Sequence, residues 1–115
     1  MNINELQQKL EQAPETIEFA EVIALVDSLY DFTPTAFTNG DQENTAGQNN
    51  GSCKLFAFAR LQGFSEEETL ACFGAFYRDD VLGHPDGRDH QNIRNFMKTG
   101  WIGIEFTAQP LSPKA

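Results

Sequence analysis

Cysteine and positive charge are scarce in this sequence, and each shortage excludes a class of protein. The two cysteines are too few for a disulfide scaffold and lack the spacing of a zinc site, so we expect free thiols. Eight Lys and Arg against seventeen Asp and Glu give a net charge of −9, which repels phosphate backbones and anionic membrane surfaces. We therefore expect no nucleic-acid partner and no membrane partner.

Long apolar runs are missing as well. No stretch provides the ~20 apolar residues that a membrane-spanning helix requires. The first residues, Met1-Asn2-Ile3-Asn4-Glu5, lack the basic-then-apolar order of a secretory signal. These absences predict a soluble, cytoplasmic protein.

Aromatic residues are abundant by contrast, with ten Phe, two Tyr and one Trp among 115 residues, which is ample material for one hydrophobic core. Apolar spacing, turn dipeptides and capping signals predict four to five helices, over residues 3–10, 15–29, 53–61, 65–77 and 89–99. The fold class predicted is α+β, as a mainly helical single domain that spans residues 1–108.

A small two-stranded antiparallel sheet is predicted to complete the domain. Ile102, Ile104 and Phe106 alternate with other residues, as in a strand, and residues 35–38 are the obvious partner because a lone strand is not stable. Residues 109–115 contain two prolines and no regular pattern, so we predict a disordered tail.

Two polar loops separate the predicted helices. Residues 38–52 contain four Asn and three Gly but no Lys or Arg, and residues 79–88 are interrupted by Gly and Pro. Such loops beside aromatic residues are typical of recognition surfaces, so we predict a protein-binding module; a flexible surface loop is the alternative. The residues predicted to bind are Phe37, Asn39, Asn49, Asn50, His84, Asp86 and Trp101.

A second functional hypothesis is a thiol-dependent hydrolase with Cys53 as nucleophile. The pattern places Cys53 at a helix N-terminus, where the dipole and free amides favour the thiolate. Such an enzyme also needs an imidazole base and a residue that orients it, which His90 supplies together with Asn92, or with Asp89 or Asp86. The alternative is that Cys53 is a small core residue.

Carboxylates and imidazoles are concentrated around the second loop. Their spacing matches neither the calcium-binding EF-hand loop nor the two-histidine helix of zinc enzymes, so turn and capping roles account for most of them. We therefore predict no metal and no cofactor. The residues concerned are Asp79, Asp80, His84, Asp86, Asp89 and His90.

Five phrases follow one another along the chain: Tyr30-Asp31-Phe32-Thr33-Pro34, Phe37-Thr38-Asn39-Gly40, Asn50-Gly51-Ser52-Cys53-Lys54-Leu55-Phe56-Ala57, Tyr77-Arg78-Asp79-Asp80-Val81-Leu82 and His90-Gln91-Asn92-Ile93-Arg94-Asn95-Phe96-Met97. Together they closely resemble the HopJ type III effector family, from about Phe19 to Leu111 and without an evident gap. The resemblance implies a bacterial protein of the kind that a type III secretion apparatus delivers into a host cell, with a host protein as partner. It implies no catalytic residue.

Overall fold

Five α-helices form the larger part of the regular structure in the computed structural model, which describes residues 1–114. None of the helices in this range is both long and apolar enough to cross a bilayer. The helices are α1 (Ile3–Gln12), α2 (Phe19–Leu29), α3 (Asn50–Gln62), α4 (Glu66–Ala71) and α5 (Gln91–Thr99), with 3₁₀ turns at Pro14–Thr16 and Gly100–Gly103 and a π-helical segment at Phe76–Val81. The predicted mainly helical α+β class and helix number are confirmed.

The second helix begins later than predicted. Residues 15–29 are not one helix, because Pro14–Thr16 is a 3₁₀ turn and α2 starts at Phe19. Between the two, the carbonyl oxygen of Ile17 accepts a 2.8 Å hydrogen bond from Nη1 of Arg78. A long-range side-chain contact therefore replaces the helical hydrogen bond at this point.

Helix α3 lies in the centre of the core, as its apolar sequence predicts. Its residues 55–59 and Cys53 are buried. The Phe56 ring lies within 6.3 Å, centroid to centroid, of four other aromatic rings, those of Phe37, Phe73, Phe96 and Trp101. The local signals after α3 also act as predicted, since Gly63 ends the helix in the left-handed conformation and Ser65 forms a capping box with Glu68.

Five short strands form two antiparallel sheets within residues 1–114. In one sheet β1 (Tyr30–Phe32) pairs with β5 (Leu111–Pro113), and in the other β2 (Phe37–Asn39) lies between β3 (Gln42–Asn44) and β4 (Ile104–Phe106). The predicted pairing of residues 35–38 with the strand that ends at Phe106 is present, as the pairing of β2 with β4, and it places Phe37 opposite Phe106. The prediction of only two strands is wrong, because two further pairings lie in segments that were expected to be irregular.

The first unexpected strand, β3, lies inside the predicted loop of residues 38–52. Gly40 and Asp41 form a two-residue turn, and Gly40 has φ +60°, as the first central position of a II′ hairpin turn requires. Strand β3 contains only Gln42, Glu43 and Asn44, so it lacks the apolar alternation by which a strand is recognised in a sequence.

The second unexpected strand, β5, corrects the prediction of a disordered tail. Leu111 lies opposite Phe32 and is fully buried. Hydrogen bonds from the Thr33 amide to Pro110 (2.8 Å) and from the Lys114 amide to Leu29 (3.0 Å) flank the pair. Proline lacks an N–H group and so cannot donate a backbone hydrogen bond, and its presence in a sequence therefore argues against a strand. Proline is nevertheless tolerated in a strand at the edge of a sheet. Ala115 lies outside the described residues.

If the tail stabilises the domain, Leu111→Ala should lower the free energy of unfolding by about 3 kcal/mol, because it removes a buried side chain and leaves a cavity. Urea denaturation followed by circular dichroism measures the change. Ser112→Ala, on the exposed side of the same strand, should stay within about 0.5 kcal/mol of the parent. Equal stability of all three proteins would contradict the ordered tail.

Candidate functional site

Four asparagine side chains, termed the asparagine cluster, meet between the hairpin and two helices: Asn39, Asn44, Asn49 and Asn92. Asn44 and Asn92 exchange both amide hydrogen bonds, at 3.2 and 3.0 Å. Asn49 Nδ2 donates to Asn44 Oδ1 at 2.7 Å. Asn39 Nδ2 donates to the carbonyl and the side-chain oxygen of Asn92, at 2.7 and 3.1 Å.

The asparagine cluster connects three consecutive elements, β2, β3 and α3, to one that is distant in sequence, α5. Asn39 and Asn44 belong to β2 and β3, Asn49 precedes α3, and Asn92 lies in α5. An unpaired buried amide costs about 1–3 kcal/mol, so the pairing fixes where the two helices begin relative to the hairpin. Within residues 1–114, Asn39 Oδ1 is the one fully buried side-chain polar atom without a hydrogen-bond partner.

A cavity of about 400 Å³ opens beside the asparagine cluster, between the first turns of α3 and α5. Both predicted loops contribute to it, the first through Gln42 and Asn49 and the second through Arg88. The lining residues are Phe19, Gln42, Asn49, Gly51, Ser52, Phe73, Phe76, Arg88, His90, Gln91, Asn92 and Ile93.

Neither helix at the cavity is capped by a side chain. The residues that precede them, Asn49 and His90, are left-handed, with φ of 56° and 51°, whereas ordinary N-cap residues are extended. The first N–H groups of a helix have no acceptor inside it, so here they are free to bind solvent or a ligand. Helix N-termini of this kind attract anionic groups.

Three aromatic rings form the apolar side of the cavity. Phe19 stacks on Phe73 at 5.8 Å, and Phe76 meets Phe19 edge-on at 5.4 Å. The first turn of α3 lies directly against the Phe19 ring, since a Cβ atom on Gly51 would be 2.9 Å from Phe19 Cζ. Phe76 is 41% exposed and begins the π-helical segment, a type of structure that is frequent at functional sites.

The charge of the cavity lining is opposite to that of the whole protein. The chain carries a net charge of −9, yet the lining includes no Asp or Glu and one permanent cation, Arg88. Arg88 is exposed and makes no ion pair with any residue in the range 1–114. Its guanidinium therefore remains free for a bound anion.

His90 connects the cavity to neighbouring carboxylates. Its Nε2 lies 3.0 Å from Asp80 Oδ2 and 3.8 Å from Asp89 Oδ2, and its ring packs on Phe76. Arg94 Nη2 donates to Asp89 Oδ1 at 2.7 Å, and this hydrogen bond lowers the pKa of the Asp89 carboxyl group. Asp80, Asp89 and His90 place ligand atoms within 4.8 Å of one another, so their geometry is compatible with a metal ion although their sequence spacing matches no motif.

The residues in and beside the first loop that were predicted to bind a partner lie in two different environments. Phe37 and Asn39 are 2% and 0% exposed, so they cannot contact a partner, and their assignment to a recognition surface is corrected. They are buried because both lie on the same face of β2, where Phe37 belongs to the hydrophobic core and Asn39 bonds to Asn92. Asn49 lines the cavity, and Asn50 is exposed as the first residue of α3.

The other three predicted binding residues lie away from the cavity lining. His84 is exposed, and its carbonyl oxygen accepts a 2.8 Å hydrogen bond from Arg94. Asp86 lines a separate cavity of about 290 Å³. Trp101 is half-buried, with its Nε1 donating to the carbonyl oxygen of Phe64 at 3.0 Å.

The three residues of the hydrolase hypothesis do not form a catalytic arrangement. Cys53 is 1% exposed, its thiol donates to the carbonyl oxygen of Thr35, and burial raises its pKa to about 11. Helix α3 begins at Asn50, a turn earlier than expected, so the Cys53 amide is already bonded within the chain to Asn49. His90 and Asn92 bind Asp80 and the asparagine cluster, respectively. Cys53 therefore has the properties of a small core residue rather than a nucleophile.

Sequence reasoning missed Phe19, Phe76 and Arg88 as residues of the site. The two aromatic residues match the apolar pattern of helices, which predicts core positions for them. Arg88 carried a usable signal, since it is the one basic residue in the acidic segment 79–88. Only the tertiary structure shows that Arg88 lines the same cavity as Gln42 and Asn49.

Comparisons with known proteins give one family and one solved structure. The profile of the HopJ type III effector protein family matches residues 3–111. A crystal structure described as that of an unknown function protein, VPA0580, covers 99% of this chain and 95% of that chain, with 54% sequence identity and a TM-score of 0.95. Among curated proteins, none matches the chain significantly.

The buried position of Cys53 predicts low thiol reactivity. At pH 8 a pKa of about 11 instead of 9.0 leaves roughly 100-fold less thiolate, so iodoacetamide should label Cys53 at least about 100-fold more slowly than a free thiol. Mass spectrometry of timed digests measures Cys53 and Cys72 separately. Both thiols should react at the free-thiol rate in urea, and rapid labelling of native Cys53 alone would restore the nucleophile hypothesis.

The asparagine cluster predicts a large effect of Asn92→Ala. This change leaves the buried amide of Asn44 without its main partner and should lower the free energy of unfolding by about 2–3 kcal/mol. The control Asn50→Ala removes an exposed asparagine that is next to the cluster member Asn49 in the sequence. It should change the free energy of unfolding by less than about 0.5 kcal/mol. Urea denaturation with equal m-values is the measurement, and similar effects of the two substitutions would refute the cluster's role.

Proposed function

The chain belongs to the HopJ type III effector protein family, and we propose that it is a protein-binding module that holds an acidic side chain of its partner in the cavity between α3 and α5. The observation that carries the proposal is the absence of carboxylates from the lining of this cavity in a chain of net charge −9.

The free N–H groups of two helix N-termini support an anionic ligand. Side chains ordinarily satisfy such groups, but Asn49 and His90 leave them uncapped. Two positive dipole ends and the Arg88 guanidinium are grouped around one cavity. A carboxylate accepts hydrogen bonds from backbone amides and from guanidinium, so it is a group that donors of both kinds can bind.

The aromatic wall supports a ligand that also has an apolar part. Phe19 and Phe76 present ring surface to the cavity, and burial of apolar area on them contributes affinity that an isolated anion would lack. The volume of about 400 Å³ is within the range of small binding sites and is suited to one or two side chains. An acidic residue next to an apolar one in the partner meets both requirements.

Exposed loops around the cavity favour a macromolecular partner over a small molecule. Residues 45–50 form the exposed remainder of the first loop, and residues 82–86 form an exposed part of the second. A protein that inserts a side chain into the cavity also contacts these loops, which extends the buried area beyond the cavity itself. By family resemblance, we propose type III delivery from the bacterial cytoplasm and a host protein as this partner.

The alternative of a thiol-dependent hydrolase with Cys53 as nucleophile is not proposed, because no observation favours it over binding. A buried thiol bonded to a backbone carbonyl lacks both the access and the general base that such catalysis requires.

Short peptides test the proposed cavity directly. Acetyl-Glu-Phe-Glu amide should shift the backbone amide NMR signals of Gly51, Ser52 and Gln91, whereas acetyl-Lys-Phe-Lys amide should not, because the lining is positive. Arg88→Glu should weaken the acidic peptide about tenfold, or ~1.4 kcal/mol, and added salt should weaken it as well.

The matched control is Lys114→Glu, which makes the same type of charge reversal at an exposed site outside the cavity lining. This variant should retain the affinity of the parent. Binding of the basic peptide at the same amides, or equal loss in both charge-reversal variants, would contradict the proposal.

A further inference from the structure

We propose that Asp80, Asp89 and His90 form a binding site for a divalent transition-metal ion, with Zn²⁺ as the reference ion. Asp80 belongs to the π-helical segment, and Asp89 and His90 immediately precede α5. One ligand atom from each residue lies within 4.8 Å of the other two. The site adjoins the proposed peptide cavity, because His90 lines that cavity whereas Asp80 and Asp89 do not, and it is therefore tested with the metal ion alone.

The distances around His90 are close to those of a coordinated ion. Ligand atoms at about 2.0–2.1 Å from a tetrahedral metal are separated from one another by about 3.3 Å. His90 Nε2 lies 3.0 Å from Asp80 Oδ2 and 3.8 Å from Asp89 Oδ2, on either side of this value. Small side-chain rotations therefore bring the three atoms into one coordination sphere.

The surroundings hold two of the three ligands in position. Arg94 donates to Asp89 Oδ1 at 2.7 Å, which leaves Oδ2 for a metal, and Arg94 is itself 8% exposed and bonded to backbone carbonyls. The His90 imidazole packs on the Phe76 ring at 5.1 Å. Contacts of this type restrict the orientation of the ligand side chains.

The donor set determines the class of ion. Asp89 is already paired with Arg94, so the charge that a bound cation neutralises is chiefly that of the Asp80 carboxylate beside His90. A nitrogen ligand favours zinc, manganese or iron over calcium, which prefers six to eight oxygens. Three protein ligands leave at least one position open, and because His90 lines the cavity, the ion lies near its rim.

The two histidines of the chain allow a direct test by NMR on the metal-free, tag-free protein. Titration with Zn²⁺ should shift the imidazole signals of His90 at a stoichiometry of one ion per chain, and the signals of His84 should remain in place. The bound ion should also raise Tm, because it binds the folded state. Absence of any His90 shift up to millimolar Zn²⁺, or parallel shifts of both histidines, would overturn the site.

Variants distinguish the site from loose binding to surface carboxylates. Asp80→Asn and His90→Asn should each weaken Zn²⁺ by tenfold or more in calorimetry; asparagine suits the left-handed backbone of His90. His84→Ala and Asp86→Asn alter the same types of exposed residue outside the cluster and should leave the affinity unchanged. Equal weakening in both pairs would refute the assignment, and the wild-type NMR result stands even if a variant fails to fold.

Discussion

The reciprocal amide pair between Asn44 and Asn92 is the interaction on which the rest of the site depends. Both side chains are buried, so neither can exchange its partner for water without loss of free energy. The pair recruits Asn39 and Asn49, and the four amides together determine where β3, α3 and α5 lie. A strand without apolar residues and two helices without N-terminal side-chain caps are thereby held around one cavity.

Hydrogen bonds to side chains outside their own helices explain why two helix N-termini remain free. An N-cap side chain ordinarily bends back to its own helix, but Asn49 is engaged by Asn44 and His90 by Asp80. Left-handed backbone at both residues is consistent with this outward orientation of their side chains. Positive dipole ends, Arg88 and an aromatic wall thus meet in a cavity without carboxylates, which is the arrangement that we propose binds an anionic group.

The candidate site was less predictable from the sequence than the fold. The polar loop of residues 38–52, predicted as a recognition surface, contributes Gln42 and Asn49 to the lining of the cavity. Its asparagines were interpreted as surface residues because Asn is usually exposed, and only long-range pairing makes burial of Asn39 and Asn44 acceptable. Cys53 looked reactive because helix boundaries read from a sequence are uncertain by about two to four residues; a start at Asn50 places its thiol in the core.

The sequence by itself determined the features whose physical causes lie within a few residues: the apolar faces of the helices, the capping box of Ser65 and Glu68, the ending of α3 at Gly63 and the strand that ends at Phe106. Only the tertiary structure decided that the tail forms β5, that β3 exists, and that Asn49, Arg88 and His90 surround one cavity. The reason is distance along the chain. Asn44 and Asn92 are 48 residues apart, and a hydrogen bond over that separation leaves no pattern that local spacing can reveal.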